Sequence, residues 1–576
     1  MKLKEFIRNY FPDVKFLPRQ KIALNETSQV QKIRTMNDLI SWPPNVFLIL
    51  YSLLEYTDKY RLLVSPQPHF AWNKTDKDST ELIASQWLEL IANQVGKKTQ
   101  NPHKYLLLID AIHNIFNQSN LNKCIYKLMN EPTFSKSTFH LLISIDTIFS
   151  KFNIFEYQKS ANLGTALVIR ELWQPKDEYN NLSDSDKKLG VVTFKTNVPQ
   201  TGLTINNLTH NLTCIKPTVS PKFIRNTKGK KEFKKNKYNI LFLPWPLKID
   251  EDSFNEITSP LDDIMDDYFG FFQYSPTEEL SLAPFYASIM SAIQRAGSID
   301  IIVFPECSLD EKTFAKFSKN LLSIFKEHSP SLLAGVYDNN IEEGKNSAKL
   351  AFIGETGNFE IVEQHKHHRW FLDENQIRAY NLGAALDINK KWWENIPIKR
   401  RELLTVHTPD GVKLCPLICE DLARQEPVAQ AVRAVGPNLV ISLLLDGPQL
   451  PNRWPGKYSA VLSDDPGSSV LSVTALGMTL RSTGRGDKPS RTVALWSEPG
   501  KGSEPLDLAE DALGIMIELA IEKENMWTLD GRKEHKPVLR KINHSSVTYD
   551  HKMLLSSRVN FLKKELINTI KKRGSK

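Results

Sequence analysis

The chain has 576 residues, 41% of them apolar and 24% charged, and a net charge of +8. At roughly 150 residues per domain this allows three to four ordinary domains or two large ones, and the near-normal apolar share excludes wholesale disorder and fibrous repeats. No apolar run nears the ~18–20 residues of a membrane helix; the longest, Val46 to Leu54, is core-sized. The opening MKLKEFIRNYF has neither an uninterrupted apolar stretch nor a small-residue cleavage site, so a cytoplasmic protein is expected. The Asn-x-Ser/Thr triplets at Asn207 and Asn211 then read as chance. Five scattered cysteines, Cys124, Cys214, Cys307, Cys415 and Cys419, fit reduced thiols better than a disulfide framework. The charge is uneven: residues 532–576 hold 13 Lys/Arg against three acids, a net of +10, leaving −2 for the rest.

In chain order, residues 1–165 predict a mostly helical domain. Apolar residues recur at three- and four-residue steps in Phe47–Leu53, Leu82–Ile91 and Tyr105–Phe116, and Trp42-Pro43-Pro44 separates one helix from the next. Residues 166–237 predict a β-rich or irregular connector, with Val191–Thr196 and Leu203–Ile205 among turn signals and a basic linker, NTKGKKEFKKNK, at 226–237. From 238 to 525 strands and helices alternate. Strands are expected at Tyr238–Leu243, Ile299–Phe304, Leu332–Tyr337, Leu439–Leu445, Ser469–Ala475 and Thr492–Trp496. Helices are expected at Ala283–Ala296, Asp310–Phe325, Pro427–Val435 and Leu506–Ile521. Ala348–Ile353 with Asn358–Glu363, and Leu403–His407 with Val412–Ile418, read as hairpins. This is a mixed α/β sheet covered by helices. Residues 526–576 predict a basic helical extension, since Leu554, Leu555, Val559, Leu562, Leu566, Ile567 and Ile570 share one helix face.

Three polar sites stand at the ends of apolar strands, where α/β folds usually bind ligands. IDIIVFPECS places Glu306 just after a buried strand, EQHKHHRW places Lys366 beyond a hairpin, and KLCPLICEDLAR places Cys419 before a short helix. A thiol needs a base to become a nucleophile, a carboxylate in a dry site can take its proton and later activate water, and an ammonium can stabilise an oxyanion. Each residue alone reads more simply as packing or a loop charge.

Together, in this order, they resemble the carbon–nitrogen hydrolase (nitrilase) superfamily over about residues 238–522. VGPNLVISLLLDGP (435–448) and RWPGKYSAVLSDDPGSSVLSVTALG (453–477) extend the likeness. The resemblance implies a four-layer α-β-β-α sandwich, with Cys419 as nucleophile, Glu306 as general base and Lys366 as oxyanion stabiliser. It also implies a second glutamate shortly after the lysine, for which Glu374 is the nearest match, and an oxyanion contact from the backbone N–H of Glu420. Glu420 stands where the family often has an aromatic residue, and Leu462-Ser463-Asp464-Asp465 replaces the family's Arg-Ala-x-Glu-Asn stretch. The implied reaction is hydrolysis of a non-peptide C–N bond (amide, carbamoyl or nitrile) in a small molecule, without metal or other cofactor, in a homodimer or larger homo-oligomer paired through its outer helices.

His365, His367 and His368 diverge on an extended loop and no second cluster follows at metal spacing. Cys415 and Cys419 share a strand face as packing, and Gly484-Arg485-Gly486 lacks the Lys-Ser/Thr of a phosphate loop. The alternative function is a nitrilase-like scaffold in a larger assembly, such as bacterial anti-phage defence, with nucleic acid contacted by the basic tail and no membrane partner.

Overall fold

The computed structural model describes residues 1–17, 33–95, 102–150, 181–216, 218–225, 236–257, 267–339, 344–354, 357–398, 401–408 and 410–549. They form two compact units. The first comprises Met1–Phe223, Ala431–Gly436 and Asn525–Lys536, the second Ile224–Gln430, Pro437–Glu524 and Pro537–Lys576.

In the first unit, helices span Met36–Ser41, Pro43–Thr57, Lys74–Val95, Leu106–Phe116 and Pro132–Ser150. Thr35 caps the first of these, its hydroxyl accepting the Asp38 N–H while the Asp38 carboxylate accepts the N–H of Thr35. Pro43 and Pro44 fill the first turn of the next helix, where a missing N–H costs nothing, and its side chains from Val46 to Leu54 are all buried. Val191–Phe194 pairs antiparallel with Leu212–Ile215, and Val192, Leu208 and Leu212 share one apolar core with the helices. Asn207 and Asn211 are buried there.

The fully buried Asp146, on the helix Pro132–Ser150, organises the far end of this unit. Its Oδ1 accepts the N–H groups of Asn211 and Leu212 (2.8 and 2.9 Å); its Oδ2 accepts the His210 N–H and an Arg532 guanidinium N–H (2.9 and 2.8 Å). Arg532 also pairs with Asp530 at 2.7 Å.

The second unit is a mixed α/β fold. One sheet runs in the order Phe359–His365, Lys345–Ile353, Ser331–Asp338, Ile301–Val303, Lys237–Phe242, Gly514–Trp527, Lys533–Val547. Its centre is parallel, with Ile301–Val303 between Lys237–Phe242 and Ser331–Asp338. A second sheet runs Gly502–Asp507, Thr492–Glu498, Ser469–Thr474, Leu439–Leu444, Lys413–Ile418, Glu402–His407, again parallel at its centre. Ile240, Ile301 and Leu333 of the first sheet meet Leu414, Ile441 and Leu471 of the second in one core. The alternate residues Leu241, Ile302 and Leu332 face the helices Leu282–Ala296 and Glu311–Phe325 through Ile289, Phe314 and Phe317. The helix Trp454–Asp464 touches the second sheet, Ser459 Oγ lying 2.8 Å from Ser472 Oγ. A small sheet, Phe371–Leu372, Lys391–Glu394, Phe269–Tyr274, Phe254–Ile257, completes the unit.

Two expectations are corrected. The helix expected at Leu506–Ile521 is instead the end of one strand and the start of Gly514–Trp527. Ile515, Ile517 and Leu519 enter one core and Met516 the other, so the run is buried on both faces and pairing with Lys237–Phe242 overrides local preference. The expected basic helical extension begins as the strand Lys533–Val547, and three of that strand's cations are paired. Lys536 pairs with Glu534, Arg540 with Glu498 and Glu524, and Lys541 with Glu504. The helix read at 552–573, and linker residues 226–235, lie outside the described residues. Among the described residues no helix is long and apolar enough to cross a membrane.

Candidate active site

Four strand ends of the second unit converge. Ile301–Val303 leads through Phe304-Pro305 to Glu306, and the neighbouring strand passes so close that a side chain at Gly335 would put its Cβ 2.4 Å from the Glu306 Cα. Lys345–Ile353 supplies Asn346, Phe359–His365 ends one residue before Lys366, and Lys391–Glu394 ends on Glu394. The buried Lys366 ammonium donates to Glu306 Oε1 at 2.7 Å and to Glu394 Oε2 at 2.6 Å. The Asn346 amide donates to the same two carboxylates at 2.8 and 2.6 Å, and the Trp370 N–H fixes Glu394 at 2.9 Å. Glu306 Oε1 therefore has two donors. Its Oε2 is buried with none.

Cys419 follows the parallel strand Lys413–Ile418 and sits at φ 45°, ψ −112°, its N–H donating to the Leu443 carbonyl at 2.9 Å. A side chain at such a dihedral stores of order 1–3 kcal/mol of strain, which surrounding packing must hold. Two residues on, Asp421 accepts the His367 N–H through both oxygens (3.2 and 3.1 Å) and lies 2.8 Å from His368 Nδ1. One buried carboxylate thus ties the turn carrying the thiol to the residues after Lys366. The histidines are spent on this framework, His367 Nε2 lying 2.8 Å from the Glu402 carbonyl oxygen.

The electrostatics follow from burial and neighbours. Burial opposes the Lys366 charge, but the Glu306 and Glu394 carboxylates outweigh it and hold the ammonium well above its ordinary range. Burial, with Glu394 nearby, raises the Glu306 carboxyl against the pull of Lys366. Burial, then Glu306, pushes the Cys419 thiol well up; Lys366 pulls it down only partly, so all three groups are in electrostatic reach and the resting sulfur is a thiol. Cys307, at φ 47°, is a second buried thiol here and is raised by burial and by Glu306. Glu306, Cys307 and Glu394 offer ligand atoms within 4.8 Å of one another, but the Lys366 ammonium already bridges the two carboxylates. A metal ion would have to displace it.

Of the sequence-predicted residues, Glu306 and Lys366 meet in an ion pair, and both act electrostatically on the Cys419 thiol. Glu374 does not join them. It opens the helix Glu374–Ala379 on the surface and pairs with Arg378 at 2.9 Å, both side chains about 60% exposed. The second glutamate against the lysine is Glu394, delivered by the small sheet. Its only sequence signal was an acid closing the apolar pair Trp392-Trp393 ahead of Ile396-Pro397. Glu420 turns its side chain to Arg424 at 2.8 Å, while its N–H belongs to the first helical turn, where N–H groups lack intrahelical partners. Asn346 and Asp421 were not foreseen.

No family model matches the sequence, and no curated protein does. Among solved structures, the neighbours include members of the nitrilase, or CN-hydrolase, superfamily. An amidase from Nesterenkonia sp. is 11% identical, covering 57% of this chain and 96% of its own, with a TM-score of 0.27. Saccharomyces cerevisiae Nit3, a member of branch 10 of the nitrilase superfamily, is 13% identical over 56% and 93%, with a TM-score of 0.28. XC1258 from Xanthomonas campestris, a CN-hydrolase superfamily protein, is 12% identical over 58% and 97%, with a TM-score of 0.26.

Proposed function

We propose that the second unit is a four-layer α-β-β-α hydrolase that cleaves a non-peptide C–N bond of a small amide-type substrate through a thioester on Cys419. The observation that carries this reading is Glu306. One oxygen is locked by Lys366 and Asn346 while the other is buried, unpartnered and in electrostatic reach of a thiol that cannot ionise unaided. The Cys419 proton passes to Glu306 Oε2, and the sulfur adds to the carbonyl carbon. The oxyanion is stabilised by Lys366 Nζ and the Glu420 N–H. As the C–N bond breaks, Glu306 returns the proton to the departing amine. Water then adds to the thioester, giving its proton to Glu306, and release of the acid restores the thiol. Glu394 keeps Lys366 charged while the proton load on Glu306 changes. The full-length protein, assayed for ammonia release against small primary amides, should turn over at least one of them and carry its acyl mass on Cys419. Unchanged turnover by Cys419→Ser, or acyl mass on Cys307 instead, would overturn the proposal.

A further inference from the structure

Three residues beyond Leu443, whose carbonyl holds the Cys419 N–H, the chain places a second buried carboxylate with half of its bonding capacity unused. Asp446 is 2% exposed. Its Oδ1 accepts from the Tyr380 hydroxyl and from the Arg453 guanidinium, the latter at 2.8 Å. Its backbone is fixed as well, the N–H donating to the Thr474 hydroxyl at 3.0 Å and the carbonyl accepting from the same hydroxyl at 2.7 Å. Its Oδ2 is buried and has no partner. Tyr380, whose hydroxyl donates to Asp446, packs in one apolar cluster with Cys307, Trp370 and Leu445, so Asp446 borders that cluster.

We infer that Asp446 is a specificity residue that reads an amine on the substrate, so that the preferred substrate is an amide bearing an ammonium group at its far end. This rests on the hydrolase reading above. A carboxylate can only accept, so whatever satisfies Oδ2 must donate, and a substrate lacking the donor leaves that oxygen desolvated and unpaired. Charge chooses among donors. Asp446 has Arg453 as its ion-pair partner and Glu306 with Glu394 shares Lys366, so in these pairs three carboxylates face two cations. Such a field favours a cationic ligand over a neutral one. Asp446 is also felt at the nucleophile: after burial, Glu306 and Glu420, it is among the charges that raise the Cys419 thiol.

The test uses paired chloroacetamides on the full-length protein. One member carries a terminal ammonium on two to five methylenes, and its partner has a methyl group in place of that ammonium. In each labelling event the Cys419 sulfur displaces chloride and the thiol proton passes to Glu306, so a C–S bond replaces a C–Cl bond. Rates at Cys419 are read by peptide mass and divided by the rate of each probe with free cysteine. A hydrogen bond to a charged group supports an expected preference of ~10- to 100-fold for the ammonium probe at its best length. In Asp446→Asn the ratio of the two labelling rates, in which any change common to both probes cancels, should fall to within ~3-fold. The wild-type ratio stands on its own if the variant does not fold. Equal rates for the two probes in the wild type, or a preference that survives in Asp446→Asn, overturn the assignment of Asp446 and leave Cys419 as nucleophile. Failure of both probes to label Cys419 overturns the hydrolase reading itself and takes this inference with it.

Discussion

Asp146 in the first unit and Glu306 in the second are both buried carboxylates beside a cation, and they differ in how their oxygens are used. Asp146 spends both: three backbone N–H groups and Arg532 supply four donors. Burial raises its carboxyl, but Arg532 and the donors more than offset this and leave it below its ordinary value. Glu306 has two donors on one oxygen and none on the other, and burial leaves it above its ordinary value. A satisfied buried charge holds architecture; in the proposed mechanism the unsatisfied one is the proton acceptor, at some expense of stability.

The contrast is sharpest in Glu306→Gln. The amide keeps shape but cannot take the thiol proton, so turnover should fall by ~10²–10⁴-fold. The folded-state carboxyl is raised, so its contribution to stability is present at acid pH and lost as pH rises through the folded value. Glu306→Gln should therefore melt at or above the wild-type temperature at pH 7, and the gap should close below the ordinary value of 4.5. A fall of more than ~10 °C at pH 7 would make Glu306 architectural. Asp146→Asn should do the reverse, costing ~1–3 kcal/mol in denaturant unfolding, because it removes the charged acceptor of three backbone N–H groups and leaves Arg532 with Asp530 as its remaining carboxylate partner. Here the carboxyl is depressed, so the loss is present above its ordinary value of 3.8 and fades as pH falls through the folded value. A near-neutral result would remove the contrast.

Smaller effects refine it. Asp421→Asn loosens the tie between the thiol turn and the Lys366 segment without touching either group. Misplacement of that kind costs up to ~10²-fold, so kcat should fall while KM and the pH profile of the rate hold. A shifted pH profile would mean that Asp421 takes part in proton transfer. Glu374→Ala should change neither rate nor stability beyond ~0.5 kcal/mol, since an exposed i,i+4 pair contributes little. Loss of activity there would return Glu374 to the site.

Glu306 and Cys419 could be picked out as candidates because each directly follows an apolar run where the chain turns. Lys366 follows the polar Glu363-Gln364-His365 and became a candidate only through its order with the other two. Glu394 was not legible, because it reaches Lys366 through a parallel pairing, Lys391 with Phe269, that joins distant parts of the chain with no local signature. The strand Gly514–Trp527 was misread as helix for a related reason: a segment buried on both faces shows no alternation, and only its partner decides its form. Arg532 read as tail charge because its partner Asp146 lies 386 residues away.

The most direct measurement is the site-resolved rate of iodoacetamide labelling in the native full-length protein, wild type beside Glu306→Gln. Cys419 should react faster than Cys124 and Cys214, which are both partly exposed, despite its own burial. That advantage should drop at least ~10-fold in Glu306→Gln, because the base that removes its proton is gone. If Cys419 reacts no faster than Cys124 or Cys214, or reacts equally well without Glu306, the free oxygen of Glu306 does not activate the thiol.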